Sequence, residues 1–304
     1  MKPTPASSFS APSLTARELA TQPDCWLRAV DAAAGATGLP LPGERVAVTG
    51  CGTSWFMAQS YAALREAAGQ GETDAFPASG FPAARPYDRV VAITRSGTTT
   101  EVLQLLEGLR VPTLAVTADG KTPVMEAAGD VAVLDWADEE SVVQTRFATT
   151  ALAFLRAGLP EGAAAVAAAA EAGGRAVSAP LPEAAPAAEQ WTFLGGGWTY
   201  GLAQEAALKM REAAGAWTEA YPAMEYRHGP VAIAGPGRVV WAFGALPDGL
   251  AAEVARTGAT LVDGGGDPMA ELIRAQRLAV AIAEARGLNP DAPRNLTRSV
   301  VLPH

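Results

Sequence analysis

Short apolar runs alternating with helical patterns leave this chain very few ways to fold. Residues 45–49 (Arg-Val-Ala-Val-Thr), 89–93 (Arg-Val-Val-Ala-Ile), 113–117 (Thr-Leu-Ala-Val-Thr) and 131–134 (Val-Ala-Val-Leu) are β-branched runs of strand length. Helical patterns follow the first two, to about residue 68 and over residues 101–109, and residues 141–159 and 161–172 extend the series. Strands that are apolar throughout, rather than at alternate positions, are covered on both faces, so the pattern predicts a parallel sheet wound with helices. The fold class is α/β.

The pattern then stops and restarts. Gly173-Gly174 is expected to end the alanine-rich helix, and residues 178–186, rich in Ala and Pro, have the composition of a linker. Beyond it come strands at 191–194, 238–243 and 260–263 and helices at 201–214, 249–257 and 271–286. The reading is an N-terminal helical segment (residues 1–32), a first domain (33–177), a linker (178–187) and a second domain (188–304), each domain able to bury its own core. The leading helix, residues 17–32, is interrupted around Gln22-Pro23 and reads as a lid or a subunit-packing element.

Composition removes several partners. With 23 Lys and Arg against 32 Asp and Glu, a formal charge of -9 and no basic run, the chain is not expected to bind nucleic acid. No apolar stretch of about 18 residues suggests a membrane span, and residues 1–14 lack an apolar leader core. Cys25 and Cys51 fit no metal-ligand or disulfide spacing, so the expectation is a cytoplasmic protein without a metal. Gly195-x-Gly197 is followed by Gly201, one position too late for a dinucleotide fingerprint, and no complete Gly-x4-Gly-Lys-Ser/Thr loop is present, since Gly120-Lys121-Thr122 has Ala115 where the first glycine would stand. No cofactor is expected.

Two clusters carry chemistry. Thr94-Arg95-Ser96-Gly97-Thr98-Thr99 places four hydroxyls between a buried strand and a helix, and Thr53 and Ser54 occupy the corresponding turn after the first strand. Both turns open on the carboxyl edge of a parallel sheet, where helix N-termini favour an anion; a plain helix cap is the alternative for either turn alone. The second cluster is a helix in which Glu205, Lys209 and Glu212 fall on one stripe, with His228 in the loop beyond. A solvated stripe is the simpler reading. Against it stand the strand and glycine turn that precede the helix and the scarcity of histidine, since His228 and His304 are the only two. An acid, a base and a cation are therefore expected to converge on one pocket.

Five ordered segments, Gly50-Cys51-Gly52-Thr53-Ser54, Thr94-Arg95-Ser96-Gly97-Thr98-Thr99, Glu205 to Glu212, Glu225-Tyr226-Arg227-His228-Gly229-Pro230 and Pro293-Arg294-Asn295-Leu296, resemble the signatures of the sugar isomerase (SIS) family. The likeness is greatest to the isomerase half of glucosamine-6-phosphate synthase and its stand-alone relatives, and it runs from about Val46 to Val300. It implies two tandem flavodoxin-like domains, a sugar phosphate as substrate, and a homodimer in which His228 enters the neighbouring subunit's site. Carried over by position, Thr53, Ser54, Thr94, Ser96 and Thr99 would hold phosphate. Glu212 would move a proton between C1 and C2, His228 would open the sugar ring, Glu205 would orient the substrate, and Lys209 matches a site lysine.

Two departures refine the expectation. Met1 is followed by Lys2-Pro3 rather than a nucleophilic cysteine, which argues against glutamine-dependent synthesis. Arg298 stands where the synthases carry an imine-forming lysine; an arginine cannot form that adduct but can fork onto phosphate or carboxylate. The expected activity is that of a phosphosugar isomerase or amino-sugar-phosphate deaminase, with a deglycase of sugar-phosphate adducts or a non-catalytic phosphosugar sensor as alternatives.

Overall fold

The computed structural model describes residues 11–303; residues 1–10 of the N-terminal segment and His304 lie outside the described part. The chain opens with helices α1 (Leu14–Ala20) and α2 (Gln22–Ala34). It continues through β1 (Val46–Gly50), α3 (Thr53–Ala67), β2 (Thr73–Pro77), β3 (Arg89–Ile93), α4 (Thr100–Gly108), β4 (Thr113–Thr117), α5 (Val124–Ala127) and β5 (Asp130–Val133). Helices α6 (Arg146–Ala157) and α7 (Gly162–Ser178) lead to β6 (Gln190–Gly195), α8 (Thr199–Ala214), β7 (Thr218–Pro222), β8 (Arg238–Phe243), α9 (Leu250–Thr257), β9 (Thr260–Asp263) and α10 (Pro268–Ala285).

The strands form two parallel sheets, ordered β2-β1-β3-β4-β5 and β7-β6-β8-β9. The first order is that of flavodoxin-like sheets, with its switch point between β1 and β3. The two sheets repeat a detail of register: Gly50 pairs with Pro77 at the end of the first, and Gly195 with Pro222 at the end of the second. The α/β class and the parallel sheets are as expected. Strands β2 and β7 went unread because they are edge strands, half-buried and mixed in sequence.

Packing departs from the expectation of two separate cores. One apolar cluster runs from Val46, Val91 and Leu114 of the first sheet to Trp191, Trp241 and Phe243 of the second. Helix α6 lies at its centre, with every residue from Phe147 to Leu155 buried, as a helix apolar all round requires. The leading helices belong to this core and form no lid. Trp26 is fully buried and donates to Thr149 Oγ1 at 2.9 Å, Thr149 donates to Gln22 at 2.7 Å, and Gln22 donates to Gln276 at 2.8 Å.

Two helix boundaries are corrected. Helix α7 runs through Gly173-Gly174 because Gly173 is where Trp26, Ile273 and Pro23 press closest; a Cβ there would sit 3.0 Å from the indole. Residues 141–145, expected to begin the helix, belong instead to a loop over residues 138–145. Its backbone groups are committed elsewhere: Arg95 takes the carbonyls of Ser141 and Val142, while the Glu139 carboxylate accepts from Thr145 N, Arg146 N and Phe147 N and so caps α6.

Candidate active site

The carboxyl ends of β1 and β3 carry the two hydroxyl-bearing turns. Gly97 in the second has φ +62, and a Cβ there would lie 2.0 Å from Thr122 Oγ1, so the turn needs glycine. Against the first turn packs α8, which approaches α3 closely because Gly201 faces Phe56 O, 2.3 Å from where a Cβ would be. This crossing brings Lys209 to the sheet edge, where its ammonium donates to Thr53 Oγ1 at 3.1 Å.

A cavity of about 210 Å³ lies at this junction, lined by Thr53, Arg95, Thr99, Lys209, Glu212 and the C-terminal segment from Leu296 to Val300. A smaller recess opens beside it, lined by Ser54, Thr94, Ser96, Thr99, Gln144 and Arg298. Of the residues singled out in the sequence, all but Glu205 and His228 line one of these two spaces. Three buried polar atoms without a partner lie in the lining: Thr94 Oγ1, Arg95 Nε and Gln144 Oε1. Such atoms are rare in folded proteins and suit a polar ligand.

The stripe on α8 is not solvated. Glu205 is fully buried and Lys209 is 1 % exposed. The Lys209 ammonium is bonded to the Glu212 carboxylate and lies 3.5 Å from Glu205 Oε1. Neither Glu205 oxygen accepts a well-formed hydrogen bond. Burial pushes the Glu205 carboxyl up to about 8, against the pull of Lys209. Burial lowers the Lys209 pKa, but the two neighbouring carboxylates outweigh it and hold the ammonium above its ordinary range. The result is a carboxyl that keeps its proton at neutral pH, a cation, and a half-buried carboxylate in sequence along one helix face.

One expectation meets a different geometry, and the other is met by a carboxylate of the chain itself. His228 is exposed, follows a short helical turn at Glu225–Arg227, and lines neither space, so acid, base and histidine do not converge within one chain. The Arg298 fork, expected on phosphate or carboxylate, is engaged by Asp138 at 2.5 and 2.8 Å and by the Glu139 carbonyl. Its segment lies across the second turn: Ser299 Oγ is 3.1 Å from Ser96 Oγ and 2.9 Å from Thr98 Oγ1, and Leu302 N donates to Thr100 Oγ1 at 2.9 Å.

Arg95 is the residue that sequence reasoning passed over. It is buried, 3.8 Å from Glu139, and its guanidinium holds the carbonyls of Ser141, Val142 and Arg298. Burial lowers its pKa and Glu139 counters this, and an arginine remains charged under either influence. Its position inside the hydroxyl turn was the available signal. Among the described residues, no cluster of three His, Cys, Asp or Glu is placed to hold a metal.

Two hydroxyl-bearing turns at the edge of a parallel sheet, facing a buried acid–lysine stripe, are the features to set beside known proteins. No family model matches the chain. It is 26% identical to glutamine–fructose-6-phosphate aminotransferase [isomerizing] of Synechocystis over 85% of its own length. The chain spans 51% of that relative, and only about a quarter of others such as the enzyme of Bacteroides thetaiotaomicron. Among solved structures, glucosamine-6-phosphate deaminase from Thermotoga maritima superposes with a TM-score of 0.78 at 25% identity, over 95% of this chain and 100% of that one. Tagatose-6-phosphate ketose/aldose isomerase from Escherichia coli has the same fold, with a TM-score of 0.78 at 19% identity over 99% of both chains. The resemblance to the sugar isomerase family read from the motifs is thus borne out in sequence and in fold. No helix among the described residues is long and apolar enough to cross a membrane.

Proposed function

We propose that this chain is a phosphosugar isomerase or amino-sugar-phosphate deaminase that moves a proton between C1 and C2 of an opened hexose phosphate. One observation carries the reading: Glu212 and Lys209 line the same cavity as Thr53 and Thr99 of the two hydroxyl turns. A phosphate bound by those hydroxyls and by helix N-termini would tether the sugar with its carbonyl end toward α8. Glu212 then takes the proton from one carbon and returns it to the neighbouring one. The Lys209 ammonium stabilises the negative charge that develops on the enediol oxygen, and protonated Glu205 holds Lys209 from behind.

For a 2-amino-aldose phosphate the same transfer removes the C2 proton and delivers one to C1. The product is a ketimine, which water hydrolyses to ammonia and a ketose phosphate. The two sheets, with their matching Gly–Pro registers, are read as two tandem sugar isomerase units, and the reaction is placed in the cytoplasm. Ring opening falls to His228 supplied by a second copy of the chain in a homodimer, a reading supported by the exposure of His228 and its place outside the lining of its own chain's cavity.

The test is turnover. Purified protein is incubated with a ketohexose 6-phosphate and with a 2-amino-2-deoxyaldohexose 6-phosphate, and aldose phosphate, ketose phosphate and ammonia are measured. Conversion of either supports the reading and separates isomerase from deaminase. Tight phosphosugar binding with no conversion of either would make the chain a sensor.

A further inference from the structure

Cys51, Arg95, Thr99, Gln144 and Arg298 line both the larger cavity and the recess beside it, and so mark the seam between the two spaces. Four of them are accounted for. Thr99 stands with the hydroxyls proposed to hold phosphate, Arg95 is engaged by three backbone carbonyls, and Arg298 grips Asp138. Burial pushes the Cys51 thiol up to about 11, which leaves it un-ionised and a weak hydrogen-bonding group. Gln144 remains. Its Oε1 is buried and has no partner among the described residues.

The loop around Gln144 is fastened on both sides. Ser141 donates through N and Oγ to the Glu18 carboxylate, Val142 N donates to Asp291 O at 2.9 Å, and Val142 O accepts from Arg95 at 3.1 Å. On the other side Thr145 donates through N and Oγ1 to Glu139, at 2.6 and 2.7 Å. With its neighbours pinned in this way, the backbone holds the Gln144 carboxamide at the seam in advance of any ligand. A buried amide oxygen left unpaired costs about 1–3 kcal/mol, and a hydrogen-bonding ligand would remove that cost.

We propose that Gln144 is a specificity-determining residue that reads the sugar hydroxyls on C3 and C4, between the reacting carbons and the phosphate. A sugar with C1 and C2 at Glu212 and its phosphate among Thr94, Ser96 and Thr99 carries those carbons across the seam. A carboxamide donates and accepts, as a hydroxyl does, so the two groups satisfy each other without a charge. A neighbouring pair of hydroxyls takes the donor and the acceptor of one amide together. A sugar lacking them leaves the amide unpaired, which is how such a site rejects it. This rests on the proposed assignment of the recess to phosphate and of Glu212 to C1 and C2.

Calorimetric titration with two open-chain probes that have no carbonyl to react tests it: glucitol 6-phosphate and its 3,4-dideoxy analogue, which lacks the two hydroxyls. The unaltered protein should bind glucitol 6-phosphate about tenfold or more tightly than the analogue. Gln144→Met keeps the length of the side chain and removes the amide. It should weaken glucitol 6-phosphate, leave the dideoxy analogue as tightly bound as before, and so bring the ratio close to one. Undiminished binding of the analogue also shows that the variant is folded and its phosphate turns intact. Equal affinities of the two probes for the unaltered protein overturn the proposal. So does a ratio that survives Gln144→Met, including one kept by equal losses of both probes, which would place the amide on the phosphate or in the scaffold. Both results leave the phosphosugar reading standing. If neither probe binds the unaltered protein, the phosphosugar reading itself falls, and the role of Gln144 with it.

Discussion

Replacing Glu205 with glutamine should change how stability depends on pH. The carboxyl is fully buried, its oxygens lack hydrogen-bond partners, and burial raises its pKa from 4.5 to about 8. In the unfolded chain it ionises near the ordinary value. A group whose folded pKa lies above its unfolded one gives stability that is complete below about pH 4.5 and lost as pH climbs through about 8. Between pH 5 and pH 9 the loss amounts to about 4 kcal/mol, taking about 1.4 kcal/mol for each unit of separation. Glutamine preserves the volume and cannot ionise, so the loss should vanish. Urea unfolding of both proteins at pH 5 and pH 9 measures it. The unaltered protein should lose several kcal/mol more across that interval than Glu205→Gln. Parallel pH profiles would show that the carboxyl already ionises normally in the folded state, and that Lys209 rather than burial governs it.

Further outcomes follow from the same geometry. Ser96→Ala combined with Thr99→Ala should weaken binding of a hexose phosphate at least tenfold, with little change for the unphosphorylated sugar; equal losses in calorimetry would remove phosphate from the hydroxyl turn. Gly173→Val should lower stability by about 1–3 kcal/mol in urea unfolding, because a Cβ at 3.0 Å from the Trp26 indole has no space to move into; an unchanged midpoint would show that the α2 and α7 contact yields easily. Mixing inactive Glu212→Gln and His228→Ala chains should restore activity if the histidine serves the neighbouring subunit. Failure in demonstrably mixed dimers would mean that each site is built from one chain.

What the sequence made legible follows from burial. Strands β3, β4 and β8 fall where their apolar runs predicted, since both faces of an inner strand must be covered. The edge strands β2 and β7, half-exposed, carry no such signal. Residues 141–145 looked helical because propensity is local, whereas the groups that hold Ser141 and Val142 out of a helix come from Arg95, far away in sequence. The hydroxyl turns and the Glu205–Lys209–Glu212 stripe were visible as spacing, but their meeting through Lys209 and Thr53 spans 156 residues and depends on the close crossing of α3 and α8. Ser299 against Ser96 and Thr98, and the Arg298 fork on Asp138, belong to the same class of long-range contact.

The central claim is that Glu212 carries a proton between two carbons of a phosphate-tethered sugar. Its most direct measurement is hydrogen exchange at those carbons, with a hexose 6-phosphate incubated in deuterated water and followed by NMR. The unaltered protein should introduce deuterium at C1 or C2, and Glu212→Gln should abolish the exchange while leaving substrate affinity within about tenfold, the signature of a lost transition-state contact. Exchange that persists at its normal rate in Glu212→Gln would contradict the account and move the base to another group, with Glu205 the nearest carboxyl on the same helix face.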